Sequence, residues 1–174
     1  MIRVLLALML FCGVASAADW PQVSAGKITE VKGFKSLPPS LQKMPAMEQC
    51  INEGCEPLIT KFYKVGDDVF AFVPLQGMYE MDAIFQWQND SVVQLSFPIV
   101  YSAVGFMSVD RLGETTLDGK SGKLVSSFFE DSCDAQTTTS EITYELNGGT
   151  YYLTKAREGT GCKKLKWRTI WQKH

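Results

Sequence analysis

The chain has 174 residues, of which 45% are hydrophobic and 21% charged, a balance that excludes wholesale disorder and supplies one buried core. Its formal net charge is −2 with both signs scattered, so the broad basic stripe of a nucleic-acid-binding protein is missing. The one histidine is the final residue, His174, which argues against histidine-dependent triads, imidazole acid–base catalysis and histidine zinc sites.

Residues 1–17 read as a secretory signal. Arg3 is the positive start, Val4 to Val14 the apolar stretch, and Ala15-Ser16-Ala17 a small-x-small cleavage site, with cleavage expected after residue 17 or 18. The apolar run is too short to span a bilayer, so no membrane anchor is expected after cleavage. Phe11 before Cys12 argues against a lipoprotein signal. The remainder, residues 19–174, reads as a single β domain whose first part, residues 19–57, is loop-rich.

Removing the leader takes Cys12 with it and leaves Cys50, Cys55, Cys133 and Cys162. An even count in an oxidising compartment implies two disulfides, with three connectivities open. The favoured pairs are Cys50–Cys55, closing a very short loop, and Cys133–Cys162, stapling a C-terminal hairpin unit. The C-x4-C spacing lacks the C-x2-C geometry of redox thiols, and together with the distant second pair it is poor zinc-ligand spacing.

Along the mature chain, Asp19 to Lys35 carries one weak strand around Ile28 to Val31. Leu37 to Met47 holds Pro38, Pro39 and Pro45 and is expected to be a loop with at most a short helical turn. Cys50 to Cys55, CINEGC, reads as a stapled loop in which Gly54 is free to take an unusual dihedral. Regular β pattern follows. Leu58–Val65 turns at Gly66-Asp67-Asp68 into Val69–Leu75, and Ala83–Gln88 turns at Asn89-Asp90 into Ser91–Phe97, with Pro98 expected to end that ladder. Leu117 and Leu124–Phe129 flank DGKSGK. Ile142–Leu146 and Thr150–Thr154 flank Asn147-Gly148-Gly149, and Leu165–Trp171 is a last strand. The only basic cluster, Lys163 to Arg168, reads as a solvated strand face beside a buried Trp167 rather than a phosphate or lipid site. The fold class is all-β: an antiparallel meander of hairpins, stapled by disulfides, closing into a barrel or a two-sheet sandwich.

The stretch from about Gln76 to Trp171 resembles a family of exported bacterial proteins known as the domain of unknown function 1176 family. The resemblance is carried by QGMYEMDAIFQWQND with the following LSFP, by LVSSFFEDSCDA, by ITYELNGGTYYL, and by the late Cys162 and Trp171. The family's glycine-aspartate-cysteine-glycine corner reads Asp131-Ser132-Cys133-Asp134 here, and Gln76 stands near where the family often carries a cysteine. The resemblance implies export and a cysteine-linked β domain, and brings no activity with it.

Carboxylates are the remaining chemistry. Glu130, Asp131 and Asp134 crowd Cys133, but without the regular spacing of a calcium loop they read as a solvated acidic turn. Glu80, Asp82, Glu141 and Glu145 could serve glycoside hydrolysis if two of them faced each other across a cleft. Phe85, Trp87, Tyr144, Tyr151, Tyr152, Trp167 and Trp171 read as core and cross-strand aromatics, with an exposed sugar- or peptide-binding strip as the sharper reading. No catalytic residue, metal or cofactor is assigned. The expectation is a non-enzymatic binding or inhibitory module that contacts another envelope or extracellular protein through Asn52 and Glu53 of the CINEGC loop, pre-ordered by its disulfide. The alternatives are a carboxylate-dependent envelope hydrolase and a structural accessory domain.

Overall fold

Short β-branched and aromatic stretches, punctuated by Gly, Asn and Asp turns, build strands over most of the chain. The computed structural model describes residues 19–55, 57, 59–76, 80–128, 138–161 and 165–173, with residues 76, 80 and 138 as backbone only. Within these, β1 (Ile28–Lys32) is followed by a 3₁₀ turn at Phe34–Ser36 and two short helices, α1 (Pro39–Gln42) and α2 (Pro45–Asn52). Then come β2 (Ile59–Val65), β3 (Asp68–Gln76), β4 (Glu80–Gln88) and β5 (Ser91–Gln94). A separate hairpin, β6 (Phe97–Tyr101) and β7 (Gly105–Val109), precedes β8 (Glu114–Leu117), β9 (Leu124–Phe128), β10 (Thr138–Asn147), β11 (Thr150–Thr160) and β12 (Lys166–Gln172).

The strands form two open five-stranded antiparallel meanders, β1-β2-β3-β4-β5 and β12-β11-β10-β9-β8, with β6-β7 as a third, two-stranded sheet. The architecture is therefore a sandwich and not a closed barrel. One core lies between the meanders, where Phe70, Phe72 and Ile84 of the first meet Leu124, Ile142, Tyr144, Tyr151 and Leu153 of the second. Phe97, Ile99 and Val100 of β6 belong to the same core, and Tyr144 Oη donates to the Pro98 carbonyl at 3.1 Å. The other face of the first meanders's strands is buried too: Phe62, Ala71, Val73, Ala83 and Phe85 pack with Leu41, Met47 and Cys50 of the helices. This second core explains VFAFVPL, an unbroken apolar run in a strand with no solvent face. Trp20 closes it, 5.3 Å from Phe62 and 5.8 Å from Trp87 between ring centroids, with its Nε1 donating to Ser40 Oγ at 3.1 Å.

The hairpins expected from sequence at Gly66-Asp67-Asp68, Asn89-Asp90, Asp118–Lys123 and Asn147-Gly148-Gly149 all form, and β1 and β12 lie within a residue or so of their expected bounds. Asn89 and Asp90 both take positive φ, 49° and 58°, as a two-residue turn matched to strand twist requires. Several expectations need correction. Residues 37–47 are not a loop: Pro39 and Pro45 each occupy the first turn of a helix, where the missing N–H has no partner to lose, so they start helices. The strand expected to run from Ser91 to Phe97 stops at Gln94, so Pro98 does not end that ladder but lies inside β6 opposite Ser108; among the described residues β6 bonds to β7 alone, and a proline nitrogen on its free side removes no ladder bond. Trp167 is exposed and lies on the outer surface of the second meander, under the Arg157 guanidinium at 4.3 Å.

Candidate recognition site

The CINEGC segment is the end of a helix rather than a loop. Ala46, Met47 and Cys50 form the buried stripe of α2, which leaves Glu48, Gln49, Ile51 and Asn52 on its outer side. The helix stops at Gly54, whose φ of 78° is a left-handed conformation that costs glycine nothing. Gly54 N donates to the Ile51 carbonyl at 3.0 Å and Cys55 N to the Cys50 carbonyl at 2.9 Å, the paired bonds of a Schellman cap. Such caps usually add an apolar contact between the same two positions; here the contact is covalent, the Cys50–Cys55 disulfide, with Cα atoms 5.0 Å apart. The disulfide favoured from sequence is thus present, and it locks the exit of α2. Cys133 and Cys162 lie outside the described residues.

Beside this cap is a shallow groove of about 380 Å³ lined by Phe34, Gln42, Lys43, Glu48, Ile51 and Asn52. Its geometry follows from helical spacing: Glu48, Ile51 and Asn52 share one face of α2 at i, i+3 and i+4, while α1 and the 3₁₀ turn supply the opposite wall. Gln42 is fixed by donating to the Leu37 carbonyl at 2.6 Å, and Ile51 is an exposed apolar side chain at the lip. Asn52 and Glu53, named together from sequence, are separated: Asn52 faces the groove, whereas Glu53 Oε1 accepts from Gln49 Nε2 at 2.8 Å, one turn back on a different face. Phe34, Gln42, Lys43, Glu48 and Ile51 are additions that the sequence reading missed. Pro39 and Pro45 as helix starters, with Ala46, Met47 and Cys50 at helical spacing, were the signal that would have found them.

Among the described residues the structure does not bring the candidate carboxylates together. Asp82 points between the meanders, like its neighbours Ile84 and Gln86 two and four residues on, and accepts from the Thr115 amide at 3.1 Å and from the Thr115 hydroxyl. Its backbone bridges to Leu112 with bonds of 2.7 and 2.9 Å, joining the first meander to the start of β8. Burial pushes its pKa up; Thr115 and Lys61 pull it down, Glu114 adds to the rise, and the net shift is upward. Glu141 and Glu145 lie on the outer face of the second meander, opposite in direction to the buried Ile142 and Tyr144. Four residues apart on one strand, they are separated by roughly 13 Å, beyond the span that glycoside hydrolysis uses. Glu141 is in any case held by Arg157, with Nε and Nη2 each donating at 2.7 Å. The side chain of Glu80, and Glu130, Asp131 and Asp134 entirely, lie outside the description.

The aromatics divide. Phe85, Tyr144 and Tyr151 are core, Trp87 and Trp171 half-buried, and Tyr152 and Trp167 exposed. The two exposed rings are each approached by a cation, Lys173 over Tyr152 at 6.0 Å and Arg157 over Trp167, and sit toward opposite ends of β11 rather than forming one strip. Among the described residues no helix is long and apolar enough to cross a membrane, and no three His, Cys, Asp or Glu side chains converge as a metal site. No family model, curated protein or solved structure matches this chain.

Proposed function

We propose that this chain is an exported, periplasmic protein of the bacterial envelope that works as a non-enzymatic binding or inhibitory module. The leader-like first 17 residues, the disulfide at Cys50–Cys55 and the segments that resemble exported proteins all support that setting. The observation that carries the binding role is the α2 exit. A Schellman cap closed by a disulfide holds Ile51 and Asn52 on a fixed edge beside an open groove, so little ordering entropy is lost when a partner docks. The groove offers an apolar floor from Phe34, an apolar lip from Ile51, the Asn52 amide, and one charge of each sign from Lys43 and Glu48. That mixture suits a protein segment with an apolar anchor and a backbone to satisfy.

The test is capture from envelope extracts by immobilised protein. Ile51→Ser with Asn52→Ala should abolish capture of a partner held by the wild type while leaving the melting temperature unchanged. Glu53→Ala should retain the partner, because that side chain turns toward Gln49 and away from the groove. Equal capture by wild type and the double variant would overturn the assignment.

A further inference from the structure

We infer that the tip of the β6–β7 hairpin, together with Lys166 and Arg168 of β12, seats on the surface of an anionic phospholipid bilayer. No charged residue occurs between Asp90 and Asp110. Within that stretch β6 turns into β7 through Ser102-Ala103-Val104, with Gly105 at a φ of 79° completing a short turn. The tip and the strand after it leave Val104 67%, Phe106 62% and Met107 47% exposed, three large apolar side chains within four residues. Isolated apolar side chains on a surface mean little, but a cluster this dense on one uncharged hairpin does.

The hairpin is held rigidly. Glu158 of β11 accepts from the Ser102 amide at 2.8 Å and from its hydroxyl at 2.6 Å. The Phe106 ring stands edge-on to Trp171 of β12 at 6.0 Å. The same carboxylate that holds the turn places a cation beside it, with Arg168 Nη2 3.6 Å from Glu158 Oε2 and its side chain 72% exposed. Lys166, two residues earlier and on the same side of the strand, is exposed as well. Lys166 and Arg168 therefore lie beside the hairpin that carries, among the described residues, the two most exposed large apolar side chains, Val104 and Phe106.

Apolar side chains entering the boundary of the acyl region, with cations level with the headgroups, are the two parts of peripheral attachment to an anionic membrane. A protein partner fits less well. Phe106 and Met107, as neighbours on a strand, point to opposite sides, so a surface packed against one side leaves the other exposed, whereas end-on entry into lipid covers both and Val104 too. The nearby groove beside Met81, Ser96 and Arg111 takes in Ser108 and Val109 at the hairpin's base and none of the three tip side chains.

Vesicle flotation tests this with the chain from Asp19 onward, which holds every described element and lacks the apolar leader. It should float with vesicles of phosphatidylcholine and phosphatidylglycerol, and far less with phosphatidylcholine alone. Val104→Ser with Phe106→Ser should lower the bound fraction roughly tenfold while the circular dichroism stays that of the folded chain, even though the Phe106–Trp171 pair is lost. Val104→Asp, at the exposed tip, serves if the double variant unfolds. Lys166→Glu with Arg168→Glu should remove the preference for anionic vesicles, and added salt should weaken binding by the wild type. The Ile51→Ser, Asn52→Ala variant should float normally, so a failure of the groove assignment leaves this result untouched. Absence of flotation, flotation that survives Val104→Asp, or a dimer in light scattering that Phe106→Ser dissolves would each overturn the proposal, the last by assigning the patch to a second copy of the chain.

Discussion

Glu158 reaches across from β11 to take both the amide and the hydroxyl hydrogen of Ser102, in the turn between β6 and β7. Burial on its own raises the pKa of this carboxyl, but the two Ser102 bonds and Arg168 outweigh it and hold the group below its ordinary 4.5. The unfolded chain therefore takes up this proton at a higher pH than the folded one. The stabilisation is complete at neutral pH and is lost as pH falls from about 4.5 through the folded value. Glu158→Gln should lower stability by about 1.5 kcal/mol at pH 7. The gap to the wild type should close as urea unfolding is repeated toward pH 3, and a constant gap would refute the linkage.

Asp82 carries the opposite sign. Burial raises its pKa above the ordinary 3.8 despite the Thr115 bonds, so the folded chain holds this proton where the unfolded chain has released it. Its contribution is therefore most favourable at acid pH and declines as pH rises from about 3.8 through the folded value. Asp82→Asn removes the buried charge yet keeps an acceptor for the Thr115 amide and hydroxyl. It should be at least as stable as the wild type at pH 7, within about 1 kcal/mol, with a flatter pH dependence above pH 4. Asp82→Ala leaves both Thr115 donors without their partner and should destabilise by about 2 kcal/mol. Calorimetry of the two variants across pH separates these outcomes.

Much of the sandwich is legible in the sequence because hairpin turns make local demands. Asn89-Asp90 and Gly148-Gly149 need positive φ at both central positions, and few residues tolerate that, so the turns announce themselves. The β6–β7 hairpin does not: Ser102-Ala103-Val104-Gly105 has no Asn-Gly or Asp-Gly pair, and Pro98 reads as a terminator unless β6 is known to have a free side. The helices were hidden for a related reason, since proline breaks a helix from within and begins one at its first turn, and only position separates the two. At the candidate site, the disulfide was readable as the favoured one of three connectivities, from the even cysteine count expected after cleavage and the very short loop it closes. The groove was not, because Phe34 and Lys43 reach Asn52 from other segments, and the divergence of Asn52 from Glu53 follows from helical period only once α2 is recognised.

Two buried glycines, Gly113 just before β8 and Gly159 within β11, should respond very differently to an added methyl group. A Cβ at Gly113 would overlap the Ser127 carbonyl, which is backbone and fixed by the β8–β9 ladder. Gly113→Ala must shift that ladder and should cost about 2–3 kcal/mol. At Gly159 the Cβ would meet the Trp167 ring at 3.1 Å, a half-open side chain able to swing outward. Gly159→Ala should cost under about 1 kcal/mol, since the lower flexibility of alanine in a strand offsets part of the crowding. It should still redshift the Trp167 fluorescence as the ring moves into water. Equal losses in the two variants would mean that backbone and side-chain neighbours yield alike.

The cap and the disulfide at the end of α2 act on one turn, so their energies should not add. Removing the cross-link with Cys50→Ala and Cys55→Ala frees a very small ring and should cost about 2 kcal/mol by chain entropy. Gly54→Ala forces a side chain into a φ of 78°, which costs about 1 kcal/mol while the disulfide compels the chain to return to Cys50. Once the cross-link is gone, the chain can leave α2 at Glu53 by an ordinary dihedral and the strain disappears. The triple variant should therefore lose about 2 kcal/mol rather than 3, a coupling of about 1 kcal/mol in a double-mutant cycle followed by urea unfolding. Strict additivity would show that the helix keeps its left-handed exit without the disulfide, and the rigidity of the α2 exit would then belong to the Schellman bonds alone.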